Sequence, residues 1–279
     1  MTGRADRTDN PLGVRRMDNQ GTLAIDADQA TRFFELGYLV LPAFLPADLV
    51  ERLEPEVDRW VDSGLRDRSI AACLDPESFG TPTVLEIELA AHGELVGHPP
   101  LLSIISRLLG PEFVFHHMHS NRQAPGSAGK EWHHDYEQGP QADRSKIMVH
   151  ALHYLGGLDR TVGPLVVLPG SHRELLGKRA RVHLGTAELP GEVVIDELPP
   201  GSTVLLHSAL FHARRPSPVG RRGKRYMVDS SYCQCGASWP PVKPYWRHLL
   251  ARGRALGLDG GQWPELFAER HFAEWVKPD

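Results

Sequence analysis

Between Phe113 and Tyr232 the chain is a succession of short apolar stretches separated by Gly, Pro and Asp. These run Phe113 to Gln123, Lys146 to Leu155, Leu165 to Leu168, Glu192 to Ile195, Thr203 to His207 and Tyr226 to Tyr232. Short strands closely spaced by turn residues are the sequence signature of a β-sandwich or barrel, and 279 residues suit one such unit with flanking elements.

The flanks read as helical. Asp26 is placed to cap a helix over Ala27 to Leu36, which Gly37 ends, and Tyr38 to Leu41 follows as a short buried strand. Pro46 suits a first helical turn, after which Leu49, Leu53, Val57 and Trp60 repeat at three- and four-residue steps. Residues 66–93 are mixed and rich in breakers, which predicts a loop. Pro99 and Pro100 open a helix over Leu101 to Leu109, closed by Gly110. Beyond Cys235, Trp239 to Asp279 is expected to be helical again, burying Tyr245, Trp246, Leu249 and Leu250. Helices first and strands later give an α+β class with a mainly β core. The expected organisation is a flexible tail over residues 1–22 and one domain over 23–279, with its β core at about 113–232.

Composition removes several function classes. Net charge is −4, from 31 basic against 35 acidic residues, so no global field draws the chain to nucleic acid or to a membrane surface. No apolar run approaches a membrane span, and residues 1–20 lack the apolar core of a secretory signal. Cys73, Cys233 and Cys235 cannot build a disulfide framework, which makes the reducing cytoplasm the default location.

Chemistry enters at Glu131-Trp132-His133-His134-Asp135. Side chains alternate along a strand, so His133 and Asp135 point the same way and can grip one ion. They supply two corners of the 2-His-1-carboxylate triad that holds non-haem Fe(II) with positions left open. A chain with 15 histidines shows such a pair by chance, so a third ligand must support it. His207 and His212 compete for that place, and their five-residue spacing sets them on opposite faces of a continuous strand. His212 is favoured by the turn and strand that follow it, which begin at Arg225. A guanidinium just inside a barrel can hold a carboxylate, such as that of 2-oxoglutarate, by two parallel N–H···O bonds.

The alternation also places Phe115, His117, His119, Asn121 and Gln123 on one face, with His116, Met118, Ser120 and Arg122 on the other. His117, His119 and Asn121 either line a substrate or co-substrate pocket or bond to neighbouring strands. His134 and Tyr136 are expected to pack or to support the ligands from behind, and His207 and His172 to tie backbone. Arg214 and Arg215, near the mouth, suggest a substrate with polar or anionic groups.

Several segments, in order, resemble the phytanoyl-CoA dioxygenase family of Fe(II)- and 2-oxoglutarate-dependent oxygenases. They are Phe33 to Leu41, Leu108 to Pro111, Trp132 to Asp135, Gly163-Pro164-Leu165 through Pro169-Gly170-Ser171-His172, Gly201 to His207 with His212, and Arg225 with Tyr232. The resemblance covers about residues 26–232. It implies a double-stranded β-helix, the jelly-roll or cupin-like barrel, with iron on His133, Asp135 and His212. It further implies 2-oxoglutarate on Arg225 and O2 as the other co-substrate, while Gln123 and Asn121, on one face of their strand, are candidates from the alternation to sit beside the 2-oxoglutarate. The implied reaction releases succinate and CO2 and hydroxylates, cyclises or desaturates an unactivated C–H position of a small molecule. Antibiotic and other natural-product tailoring is a frequent use of such relatives, and acyl-CoA oxidation the founding one. Asp135 argues against halogenation, since halogenating relatives lack this carboxylate. The chain departs from the family at Gln123, where a lysine is common, and at Arg214, where a small hydroxyl residue is frequent, which would turn Arg214 toward the substrate. The competing class is a cupin-like isomerase or ligand-binding module, which has no use for a carboxylate clamp at Arg225.

Overall fold

The computed structural model describes residues 16–17, 23–137, 145–159, 161–217 and 223–277. Of the expected tail, only Arg16–Met17 (β1) is described, paired with Leu23–Ala24 (β2). Arg221 and Arg222, in the turn that precedes Arg225, lie outside the described residues.

Helix α1 (Ala27–Leu36) begins as its cap requires. The Asp26 carboxylate accepts from the Gln29 amide at 2.8 Å, and the Gln29 side chain accepts from the Asp26 amide at 3.0 Å. Gly37, at φ 85°, closes it and leads into strand β3 (Tyr38–Leu41). A Cβ at Gly37 would sit 2.6 Å from His172 Nδ1 and 2.7 Å from Leu210, so the helix end docks against the barrel only through glycine.

Helix α2 (Ala47–Asp62) buries Leu49, Leu53, Val57 and Trp60 completely. The stretch expected as a loop is largely helical instead: α3 (Leu65–Leu74), α4 (Pro76–Phe79) and α5 (Ala90–Val96). The sequence hid this for two reasons. Helix α3 buries only Leu65, Ser69 and Ala72, too weak a stripe to read, and α5 is capped from afar, its Ala91 and His92 amides donating to the Glu56 carboxylate of α2. Helix α6 (Pro99–Leu109) matches expectation.

Strands β4 (Phe113–Gln123), β5 (Lys130–His133), β6 (Met148–Tyr154), β7 (Leu165–Val167), β8 (Val193–Ile195), β9 (Ser202–His207), β10 (His212–Arg214) and β11 (Arg225–Gln234) build two antiparallel sheets. One runs β3-β9-β6-β11-β4 and the other β5-β10-β7-β8. The chain is therefore α+β with a jelly-roll core, as the resemblance implied. The large sheet is buried on both faces, which explains why every residue of β6 is buried. Val149, Ala151, Leu205 and Val228 join the helices in the main core, while Leu152, Tyr154, Val204 and Leu206 pack inward with Leu165 and Val167 of the small sheet.

Among the described residues of the C-terminal end only α7 (Trp246–Ala255) and a turn of 3-10 helix at Glu269–His271 are helical, less than expected. Gly257, Gly260 and Gly261, all at positive φ, end the helix where aromatic residues alone suggested it would continue. Among the described residues no helix is long and apolar enough to cross a membrane.

Strand β4 carries one irregularity that matters for the site. Ser231 of β11 pairs with His117, but Tyr232 pairs with Phe115, so His116 is an extra, bulged residue. Phe115 therefore leaves the face of His117 and His119 and joins the helix-side core with Met118, a correction to simple alternation.

Candidate active site

The two sheets enclose a cavity of about 310 Å³. Antiparallel pairing of β5 and β10 sets His133 directly opposite His212, their ring centroids 4.4 Å apart. Asp135, two residues beyond His133, is anchored by its amide to the Ser208 carbonyl at 2.7 Å. Its carboxylate lies 3.7 Å from His133 Nε2 and 3.2 Å from His212 Nε2, and one donor atom from each residue falls within 4.8 Å of the others.

Hydrogen bonding decides which nitrogens are available. His133 Nδ1 lies 2.7 Å from the Glu131 carbonyl and His212 Nδ1 3.0 Å from the Leu210 carbonyl. A carbonyl only accepts, so each Nδ1 carries its proton and each Nε2 is left to turn a lone pair on the common point. Burial, reinforced by the neighbouring His212, lowers His133 to about 4, which keeps its imidazole neutral. Two lone pairs and a carboxylate facing one another suit a divalent cation, and the donor set matches Fe(II).

Arg225 opens β11 and lines the same cavity. It is buried, with its guanidinium 4.9 Å over the Tyr154 ring, and donates at 3.3 Å to the Tyr154 hydroxyl and at 3.3 Å to Gln123 Oε1. Its Nε has no partner, and no carboxylate pairs with it among the described residues. A buried cation without a counter-charge is costly, so the arrangement suits an incoming anion. Burial raises the Tyr154 phenol above its usual range, which keeps its proton for donation. Gln123, Asn121, His117 and His119 also line the cavity.

Other expected residues fall elsewhere. His134 and Tyr136 do not line the cavity: His134 Nε2 bonds the Leu176 carbonyl at 2.9 Å, and the Tyr136 hydroxyl donates to the Lys146 carbonyl at 2.9 Å. Both rings pack away from the cavity, on the chain that follows β5. Arg214 shares the cavity side of β10 with His212, and burial, with Arg225 nearby, lowers it to about 10. Arg215 points the other way, pairing with Glu192 at 2.6 Å, so only one of the two arginines at the mouth faces the cavity. His207 and His172 stack on each other at 4.9 Å, and His172 bonds the Phe34 carbonyl.

Sequence reasoning missed His150, Tyr154, Asp229 and Lys243, all in the cavity wall. Three of them carried a readable signal. Asp229 lies four residues after Arg225 on one strand, hence on its face, and His150, Leu152 and Tyr154 alternate inward along β6. Lys243 comes from irregular chain before α7 and had none.

Ectoine dioxygenase of Bordetella bronchiseptica is 30% identical over 169 residues, 57% of this chain and 54% of that protein. That of Sphingopyxis alaskensis is 30% identical over 159 residues, 54% of this chain and 51% of that protein. The chain thus spans about half the length of these relatives. Among solved structures, EctD from S. alaskensis with 2-oxoglutarate and 5-hydroxyectoine gives a TM-score of 0.57 at 23% identity, covering 81% of each chain. The carbocyclase SnoK from nogalamycin biosynthesis gives 0.59 at 18%, over 82% of this chain and 90% of that one. HygX from Streptomyces hygroscopicus with nickel and 2-oxoglutarate gives 0.57 at 19%, over 78% and 90%. At these identities the structural likeness speaks for a shared fold. Residues 33–223, well over half of the sequence, match the phytanoyl-CoA dioxygenase (PhyH) family, and the chain belongs to that family.

Proposed function

We propose that the protein is an Fe(II)- and 2-oxoglutarate-dependent dioxygenase that oxidises an unactivated C–H bond of a small polar metabolite, releasing succinate and CO2. The carrying observation is the joint placement, on one cavity, of three convergent donor atoms and a buried guanidinium that lacks an anion. His133, Asp135 and His212 would hold the iron, which together with 2-oxoglutarate and O2 supplies the oxidising power. The rest is the protein's work. The carbonyls of Glu131 and Leu210 hold both imidazoles in the ligating tautomer, while Arg225, Tyr154 and Gln123 offer donors and a shaped wall to the co-substrate's far carboxylate. The sheets keep bulk water from the reacting carbon.

Because about 310 Å³ lies at the small end of ligand pockets, a compact substrate is favoured over a bulky acyl-CoA. A biosynthetic role in the cytoplasm is part of this reading. It is supported by neighbours such as HygX, solved with hygromycin B, and SnoK of nogalamycin biosynthesis. The test is succinate release from 2-oxoglutarate by the purified protein with Fe(II) in air. Release that depends on iron is expected even without the substrate. None, with or without candidate metabolites, would favour the cupin-like alternative of isomerase or binding module.

A further inference from the structure

We propose that the end of the cavity away from Arg225 is a two-point recognition site for a small zwitterion. The protonated nitrogen would lie against Asp229 and His117 Nε2, and the carboxylate against Lys243 and His119 Nε2–H. This deepens, and rests on, the oxygenase reading above. Asp229 follows Arg225 by four strand residues, about 13 Å at ~3.3 Å each. The two sites therefore share one cavity without competing for one anion.

The acceptor side follows from a chain of hydrogen bonds whose direction is forced. His116 Nε2 lies 3.0 Å from the Pro240 carbonyl and must carry the proton there. Burial drives His116 down to about 3, so its ring is neutral and its Nδ1 is an acceptor. His117 Nδ1, 2.7 Å away, must then donate to it, and the bulge at His116 is what brings these adjacent rings together. Burial also holds His117 well below its usual value. Its Nε2 is consequently a lone pair, without a hydrogen bond among the described residues, and it faces Asp229 Oδ2 at 3.9 Å. Asp229 is fixed by His150 Nδ1–H at 2.8 Å and by the Ser231 hydroxyl at 3.1 Å. A carboxylate offers about four acceptor positions, so it has capacity left. Two acceptors turned toward each other in a buried wall call for a group that brings protons to both.

The donor side has the opposite polarity. Lys243 lines the cavity and makes no ion pair among the described residues. Its ammonium reaches His119 Nδ1 at 3.5 Å. An ammonium only donates, so His119 Nδ1 accepts. Burial first, then Lys243, lowers His119 to about 4, which leaves its ring neutral with the proton on Nε2. Glu86 lies near enough to be felt by Lys243, yet its carboxyl is raised by burial and its Oε1 already takes the Ser120 amide at 2.9 Å. Neighbouring inward positions of β4 thus present an acceptor and a donor about 7 Å apart, each reinforced by a charged group of matching sign. A molecule with both an ammonium and a carboxylate satisfies both sides at once. A molecule without the carboxylate leaves the Lys243 ammonium without an ion pair, and one without the ammonium leaves His117 Nε2 and the spare acceptor positions of Asp229, which His150 already pairs on one side, without a donor.

The test uses the full chain loaded anaerobically with Fe(II) and 2-oxoglutarate. The visible charge-transfer absorption of iron-bound 2-oxoglutarate reports the metal site, and calorimetry reports probe binding. The probes are the standard L-amino acids, β-alanine and γ-aminobutyrate, each compared with its N-acetyl and methyl-ester forms. At least one parent zwitterion should bind, and both blocked forms should bind about tenfold to a hundredfold more weakly. Lys243→Met should erase discrimination against the ester and keep that against the N-acetyl form, while Asp229→Asn should do the reverse. Such a crossed pattern cannot come from general loosening of the fold, and the absorption band shows that each variant is intact. Blocked forms binding as well as the zwitterion, or no zwitterion binding while the band forms, would overturn the proposal. A zwitterion bound with crossed discrimination but no band would leave this subsite standing and remove the oxygenase reading instead.

Discussion

One cavity holds two clusters of similar composition with different wiring. His133, Asp135 and His212 form one group of two imidazoles and a carboxylate, and His117, His150 and Asp229 form another, each with donor atoms within 4.8 Å of one another. In the first, both Nδ1 protons are spent on backbone carbonyls and both Nε2 atoms are left to converge. In the second, His150 Nδ1 is spent on Asp229 itself and His150 Nε2 is buried without a partner. Ligation there would strip the proton from Nδ1 and break the hydrogen bond and ion pair that hold Asp229. Residue types alone do not make a metal centre; the tautomers dictated by neighbouring acceptors do.

The sharpest way to break this contrast is to remove ligands from each side. His133→Ala or His212→Ala should abolish iron retention and lower turnover by at least about a thousandfold. His150→Gln should keep close to one iron per chain. Metal analysis with succinate assays checks both, and iron lost equally from both sets would erase the distinction.

Arg225→Lys probes what stands beside the first cluster. It keeps a charge and removes the fork, so two parallel bonds become one. The Michaelis constant for 2-oxoglutarate should rise about tenfold to a hundredfold, with that for the substrate nearly unchanged. An equal rise in both would move Arg225 out of the co-substrate site.

The second cluster should announce itself through stability rather than metal. Burial alone would lower His150, but the charge and hydrogen bond of Asp229, with Asp135 and Glu137 further off, reverse this and raise it to about 9. Neutral His117 faces the same group and adds no charge. A raised histidine stabilises the fold fully below its unfolded value near 6.5, and that contribution fades as pH climbs through 9. Denaturant unfolding of the chelator-treated protein should therefore weaken between pH 6.5 and 9, by on the order of 2 kcal/mol. In His150→Gln the slope should flatten.

Much of this was written in the sequence, for reasons that differ by element. The barrel strands and the caps of α1 depend on period and on residues a few places apart, so Phe113–Gln123 and Asp26 with Gly37 could be read locally. The candidate ligand set could be proposed because His133 and Asp135 are two apart and a turn and Arg225 follow His212. What escaped depends on distant partners. The cap of α5 comes from Glu56, the bulge at His116 is set by β11, and the inward aim of Lys243 is fixed only by the folded C-terminal chain. Asp229 and His150 were on readable faces, yet their pairing links strands 79 residues apart.

His134 marks the lower limit of the contrast. It stands between two candidate ligands in sequence, but both of its nitrogens meet backbone, Nε2 at the Leu176 carbonyl and Nδ1 at the Tyr136 amide, and its ring lies edge-on to Phe211. The amide donates to Nδ1, so the proton sits on Nε2 and no lone pair turns toward the cavity. His134→Phe keeps the aromatic volume and loses two bonds, which should cost about 1–3 kcal/mol of stability by denaturant titration. Iron content and the Michaelis constants should stay within about twofold, since a neighbour in sequence that faces away touches neither the metal point nor the guanidinium. A large loss of iron with normal stability would mean that the chain following β5 turns this ring inward when the site is filled.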